Sequence, residues 1–189
     1  MNTVELTDKS NAAKLLEHDV VTKNKIVVLY FDTHRENAIW YWSTVAAGGV
    51  PALLSPLSSN DTTLVGELDN VNKLFKGPTI LTTKRLAKPF RSIPSLHTTT
   101  VEVVAATEIK EDSSKTANAE TINSADELAT ILFTSGSTGF AKGVEYTNAQ
   151  LVASSILKTN FHKMDSSKTF MSWVSKCNLV QSSFFGPDR

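Results

Sequence analysis

A single cysteine, Cys177, stands in this chain. One thiol excludes an internal disulfide framework and suits a reducing compartment. No apolar run approaches the roughly 18 residues that read as a membrane-crossing helix. The opening MNTVELTDKSNAAKLLEHD scatters charges and lacks an apolar core, so no secretory leader is expected and the location expected is cytoplasmic. Neither sign of charge is in excess, with 19 Lys+Arg against 19 Asp+Glu, so no basic footprint for nucleic acid or a membrane surface is expected. His18, His34, His97 and His162 lie far apart, and none stands at metal-ligand spacing from a Cys or Asp, so no metal site is expected. Internal repeats are absent.

What remains is an ordinary globular composition. At 189 residues, 41% of them hydrophobic, the chain is long enough for one domain with its own core. Ser10 is placed to cap a helix running to about His18. KIVVLYF, from Lys25 to Phe31, is β-branched, aromatic and continuous, which predicts a buried strand. Arg35 to Ala47 reads as a helix closed by Gly48 and Gly49. Val50 to Leu54 reads as a strand, and Thr62 to Phe75 has apolar residues at helical spacing with Gly77 and Pro78 behind it. Then follow a strand at Thr79 to Thr82, a short helix at Lys84 to Phe90, and a strand at Thr99 to Ala105. Glu108 to Thr121 is polar and charged and reads as an exposed insertion or linker. Ala129 to Phe133 is another strand, followed by a short one near Val144 and a helix from Asn148 to about Lys158. This alternation predicts an α/β layer fold with a largely parallel sheet, whose ligands sit beyond the carboxyl ends of its strands.

The densest chemistry is at Phe133 to Tyr146, FTSGSTGFAKGVEY. Thr134, Ser135, Ser137 and Thr138 offer four hydroxyl donors around Gly136 and Gly139, and Lys142 and Gly143 follow. Glycines let backbone N–H groups turn inward, hydroxyls donate to anionic oxygens, and a lysine offsets charge, which is the chemistry of a phosphate-wrapping loop. The Walker A pattern fails, because the sixth position from Gly136 is Ala141 and Lys142 is followed by Gly143. A G-x-G-x-x-G dinucleotide pattern fails too. Composition and spacing alone leave a second reading open, a Ser/Thr/Gly surface turn with Lys142 solvated. Trp40, Tyr41 and Trp42 read as core packing, Glu145 as a solvated strand charge, and Cys177, with no His nearby, as a structural or free thiol.

T-S-G-S-T-G-x-x-K-G after an apolar strand resembles the phosphate-binding signature of the AMP-forming adenylate-forming enzymes: acyl-CoA synthetases, luciferases and the adenylation domains of nonribosomal peptide synthetases. Many members carry Pro where this chain has Ala141. Tyr30 to Leu57, with its Trp-rich helix and its Ser55-Pro56-Leu57 ending, and VEYTNAQL at Val144 to Leu151 look most like fungal synthetase adenylation domains. The likeness covers most of residues 25–173, apart from 107–122, so residues 1–173 read as part of an adenylation domain and 174–189 as an unmatched tail.

The resemblance implies a ligase that activates a carboxylic acid with ATP and Mg²⁺. The carboxylate attacks the α-phosphorus, pyrophosphate leaves, and the acyl-adenylate passes to a thiol of CoA or of a carrier protein's phosphopantetheine. By resemblance, Thr134, Ser135, Ser137 and Thr138 would donate to the β- and γ-phosphates. Gly136, Gly139 and Gly143 would permit close approach, and Lys142 would be the catalytic cation. The family's ribose-binding Asp, adenine-contacting segment, acyl pocket and lysine-bearing mobile domain lie downstream of this loop, and none has a counterpart before Arg189. The likeness breaks within Met171 to Asn178, where relatives continue with an Asp-His stretch. The expectation is therefore an N-terminal portion, inactive alone. A nucleotide-binding regulatory fragment and a non-functional truncated remnant are the alternatives.

Overall fold

Val27, Val28 and Leu29 have no exposed surface, which explains why this run becomes a central strand. In a computed structural model describing residues 3–54, 56–106, 124–134 and 142–163, they lie in β1 (Ile26–Tyr30). Both faces of the strand are covered, as in parallel sheets generally. It is flanked by β2 (Val50–Leu53) and β3 (Thr79–Thr82), each parallel to it. β4 (His97–Thr100) extends one side and β5 (Leu128–Thr134) the other, both again parallel to their neighbours. β6 (Lys142–Thr147) closes the sheet antiparallel to β5, giving the order β4-β3-β1-β2-β5-β6. The expected α/β fold with a largely parallel sheet is what the chain forms.

Strand alternation sorts the helices onto two faces. Val27 and Leu29 meet Ala12 and Leu15 of α1 (Thr3–Glu17), Trp40 and Tyr41 of α2 (His34–Ala46) and Val104 of α5 (Val101–Ala105). Val28 and Ile80 meet Leu68 and Val71 of α3 (Asp61–Phe75) and Phe90 of α4 (Lys88–Arg91). Trp40 and Tyr41 are thus core residues, 7% and 4% exposed.

Local chemistry sets the ends. Thr33 caps α2: its hydroxyl accepts from Glu36 N at 3.1 Å and donates to the Glu36 carboxylate at 2.6 Å. At the other end Gly48 turns with φ of +81°. Asn60 Oδ1 accepts from the N–H groups of Thr62 and Thr63, starting α3.

Several boundaries differ from the sequence reading: α4 begins at Lys88 rather than Lys84, and α6 runs past Lys158 to His162. Ser10 is an exposed residue inside α1, which begins at Thr3, not a cap. An exposed mid-helix serine costs only a few tenths of a kcal/mol, so it does not stop a helix held by buried Ala12 and Leu15. The strand expected over Thr99 to Ala105 is instead β4 (His97–Thr100) followed by α5. β3 offers only Thr79–Thr82 as ladder partners, and they are used up at the pair Thr82–Thr100. Beyond that rung the valines fold back, bury Val104 and place the last carbonyl, that of Ala105, 2.6 Å from Lys14 Nζ. The predicted insertion at 108–121, Ser55 and Cys177 lie outside the described residues.

Candidate functional site

β1, β2, β3 and β5 point the same way, so their carboxyl ends share one edge of the sheet. Asp32, after β1, pairs there with Arg85, after β3. Both side chains are well exposed, so this pair contributes little stability. Partial burial pushes the Glu102 carboxyl upward. The Lys84 backbone N–H, 3.0 and 2.9 Å from its two oxygens, helps outweigh that and leaves it below its ordinary range.

The glycine-rich run leaves this same edge. β5 ends at Thr134 and β6 begins at Lys142, and these two residues face each other in the last pair of the antiparallel ladder. The intervening residues 135–141 therefore start and finish side by side. Ser135, Gly136, Ser137, Thr138 and Gly139 lie outside the described residues. Thr134, Lys142 and Gly143 are placed, and the Lys142 side chain is exposed at the sheet edge. Glu145 is exposed as well, in keeping with a solvated strand charge.

The stem is held from both sides. Ile131 and Phe133 bury themselves against α3, and the Phe133 ring meets Phe75 edge-on, 5.8 Å between centroids. A Cβ on Gly143 would lie 3.1 Å from Ile131 Cγ2, so this glycine has a packing reason of its own. α6 (Asn148–His162) starts with a capping box between Thr147 and Gln150. Asn148 N and Nδ2 donate to the carbonyls of Glu127 and Ser124, fastening the hairpin's base.

On the opposite face the buried Tyr41 phenol lies beside Thr130. The phenol is pushed up to about 12 by burial, against the opposing pull of Thr130. In the unfolded chain it ionises near pH 10. A group raised on folding gives stability that is complete below its unfolded value and lost as pH climbs through the folded one. Unfolding titrations in urea should therefore lose about 2–3 kcal/mol between pH 10 and 12 relative to Tyr41→Phe. Parallel curves for the two proteins across that range would rule this out.

Sequence reasoning passed over Thr130 and Pro51 as partners. The available signal was Pro51, a proline inside a buried strand. Among the described residues, no group of three or more His, Cys, Asp or Glu side chains could hold a metal. No helix there is long and apolar enough to cross a membrane.

A parallel sheet whose last parallel strand runs into a serine-, threonine- and glycine-rich stretch is an α/β arrangement that places such a stretch where ligands sit, beyond the carboxyl ends of the strands. Residues 5–177 match the family described as AMP-binding enzyme, and the chain belongs to it. Nonribosomal peptide synthetase acyN of Ascocoryne sarcoides is 33% identical over 170 residues, covering 89% of this chain and 18% of that protein. Microperfuranone synthase of Emericella nidulans is 28% identical over the same shares. These relatives agree with the fungal synthetase likeness of the sequence. Among solved structures, McyG A-PCP complexed with phenylalanyl-adenylate superposes with a TM-score of 0.71 at 20% identity, over 86% of this chain and 26% of that one. O-succinylbenzoate coenzyme A synthetase of Bacillus subtilis in complex with AMP gives 0.74 at 19%, over 96% and 45%. The chain spans 18% of the length of these two fungal relatives.

Proposed function

We propose that this chain supplies the phosphate-holding part of an adenylating ligase. The whole protein would activate a carboxylic acid with ATP and Mg²⁺ as an acyl-adenylate and pass it to a thiol of CoA or a carrier's phosphopantetheine. The observation that carries this reading is the Thr134–Lys142 pair, which brings both ends of the glycine loop to the carboxyl edge of a parallel sheet. In this reading Thr134, Ser135, Ser137 and Thr138 donate to the β- and γ-phosphates. Gly136, Gly139 and Gly143 keep the backbone close, and Lys142 balances the charge that develops on departing pyrophosphate. The unit comprises residues 1–173 with 108–121 as an insertion, 174–189 stand apart from it, and the setting is cytoplasmic.

A second reading, in which the chain serves as a nucleotide-binding piece paired with further polypeptide, draws on α6. Val152, Ile156, Leu157 and Phe161 are each more than half exposed there.

Calorimetric titration tests the phosphate role. The wild-type chain should bind MgATP weakly. Lys142→Ala should weaken it about ten-fold or more, the scale of a lost hydrogen bond to a charged group. Indistinguishable traces for the two proteins would end the phosphate reading for this loop.

A further inference from the structure

Pro51 sits inside β2, between two hydrogen-bonded neighbours, where proline is rare because it removes a ladder donor. The missing donor can be assigned to one side. Val50 N donates to Lys25 O at 2.9 Å and Leu54 N to Leu29 O at 3.0 Å, both toward β1. Backbone groups alternate sides along a strand, so Pro51 faces β5. On that side the β5–β6 ladder slips between Leu128 and Thr130, and the β2–β5 ladder consists only of Ala52–Ile131 and Leu53–Leu132. The Thr130 hydroxyl makes a bond of another kind on that side: it donates to the Pro51 carbonyl at 2.8 Å, in a fully buried position. The result is a side-chain bond from β5 to β2, in an interior where hydrogen bonds are strong.

We propose that Thr130 is a positioning residue. Its hydroxyl, held on the Pro51 carbonyl, ties β5 to β2 beside the rung that proline leaves without a donor, fixes the register of β5, and so sets where the glycine loop begins at Thr134. With no exposed surface, Thr130 cannot touch a ligand and acts only through its strand. Register matters here, because a one-residue slip would turn Ile131 and Phe133 out of the core and move Thr134 away from Lys142. The link to ligand binding rests on the phosphate-loop reading above.

The test compares wild type, Thr130→Val and Thr130→Ser by amide hydrogen exchange and by MgATP titration. Thr130→Val keeps the shape and removes the hydroxyl. It should speed exchange of Leu132 to Thr134 and Lys142 to Val144 about ten-fold, leave β1 and β3 at wild-type rates, and weaken MgATP binding about ten-fold. Thr130→Ser should return both readouts to near wild type. If Thr130→Val fails to fold, Thr130→Cys, whose thiol is a much weaker donor, should show the same β5-confined pattern at smaller amplitude. Wild-type rates in β5, or acceleration spread equally over β1 and β3, or no rescue by serine, would each overturn the proposal. A wild-type chain without MgATP binding would remove the phosphate reading. The exchange pattern would still uphold or overturn the hold of Thr130 on β5.

Discussion

Phe133→Ala should lower the stability of the chain by about 3–5 kcal/mol, the range for truncating a buried phenylalanine. The ring is 4% exposed and meets Phe75 edge-on, in a core shared with Ile131, Leu68 and Val71. Collapse around the gap is hindered on two sides. β5 is bound by its ladders to β2 and β6, and α3 is fixed at its start by the Asn60 cap. With whole domains stable by only about 5–15 kcal/mol, this one side chain accounts for a large share. In urea the midpoint should fall by more than about 1 M, given slopes of roughly 1–3 kcal/mol per molar. A loss below about 1 kcal/mol would mean that β5 is not anchored through this ring.

Gly77→Ala should be the next most damaging, by about 2–4 kcal/mol, from two sources that Gly48 separates. Gly77 has φ of +78°, and a Cβ there would lie 2.9 Å from the Ser95 carbonyl oxygen. Gly48 has φ of +81° with nothing within 4 Å of an added Cβ. Left-handed backbone costs a non-glycine residue about 1–2 kcal/mol, of which the stiffer unfolded chain returns about 0.4–1. Gly48→Ala should therefore cost about 1 kcal/mol or less. Gly77→Ala should cost distinctly more, because its neighbour is backbone and must move with the loop into β4. Equal losses for the two variants, measured by chemical denaturation, would show that the carbonyl yields freely.

Most of the fold could be read from short-range chemistry. β1 announced itself because buried parallel strands are apolar on both faces, and α2 because two closing glycines follow it. What escaped depended on partners distant in sequence. The end of β4 is decided by the length of β3, not by the valines at 101, 103 and 104, whose preference for strand is overridden once ladder partners run out. α1 reached back past Ser10 because the sheet covers Ala12 and Leu15. The glycine loop was legible as chemistry, through its hydroxyls and Lys142. Its stem was not, since Thr130 reads as an ordinary strand threonine until Pro51 is found beside it.

That same bridge has a bearing on the order in which the chain assembles. Thr130 and Pro51 are 79 residues apart, against 52 for the bond joining Thr82 to Tyr30. Closing the longer span costs more chain entropy, and contacts that distant in sequence are the slow ones in folding. β1, β2 and β3 can thus form a sheet with α2 and α3 before β5 docks on its open side. On this ground the strand that presents the glycine loop is expected to dock last, on a surface the first half of the chain has already built. A ligand gripping that loop would act on the last piece to settle.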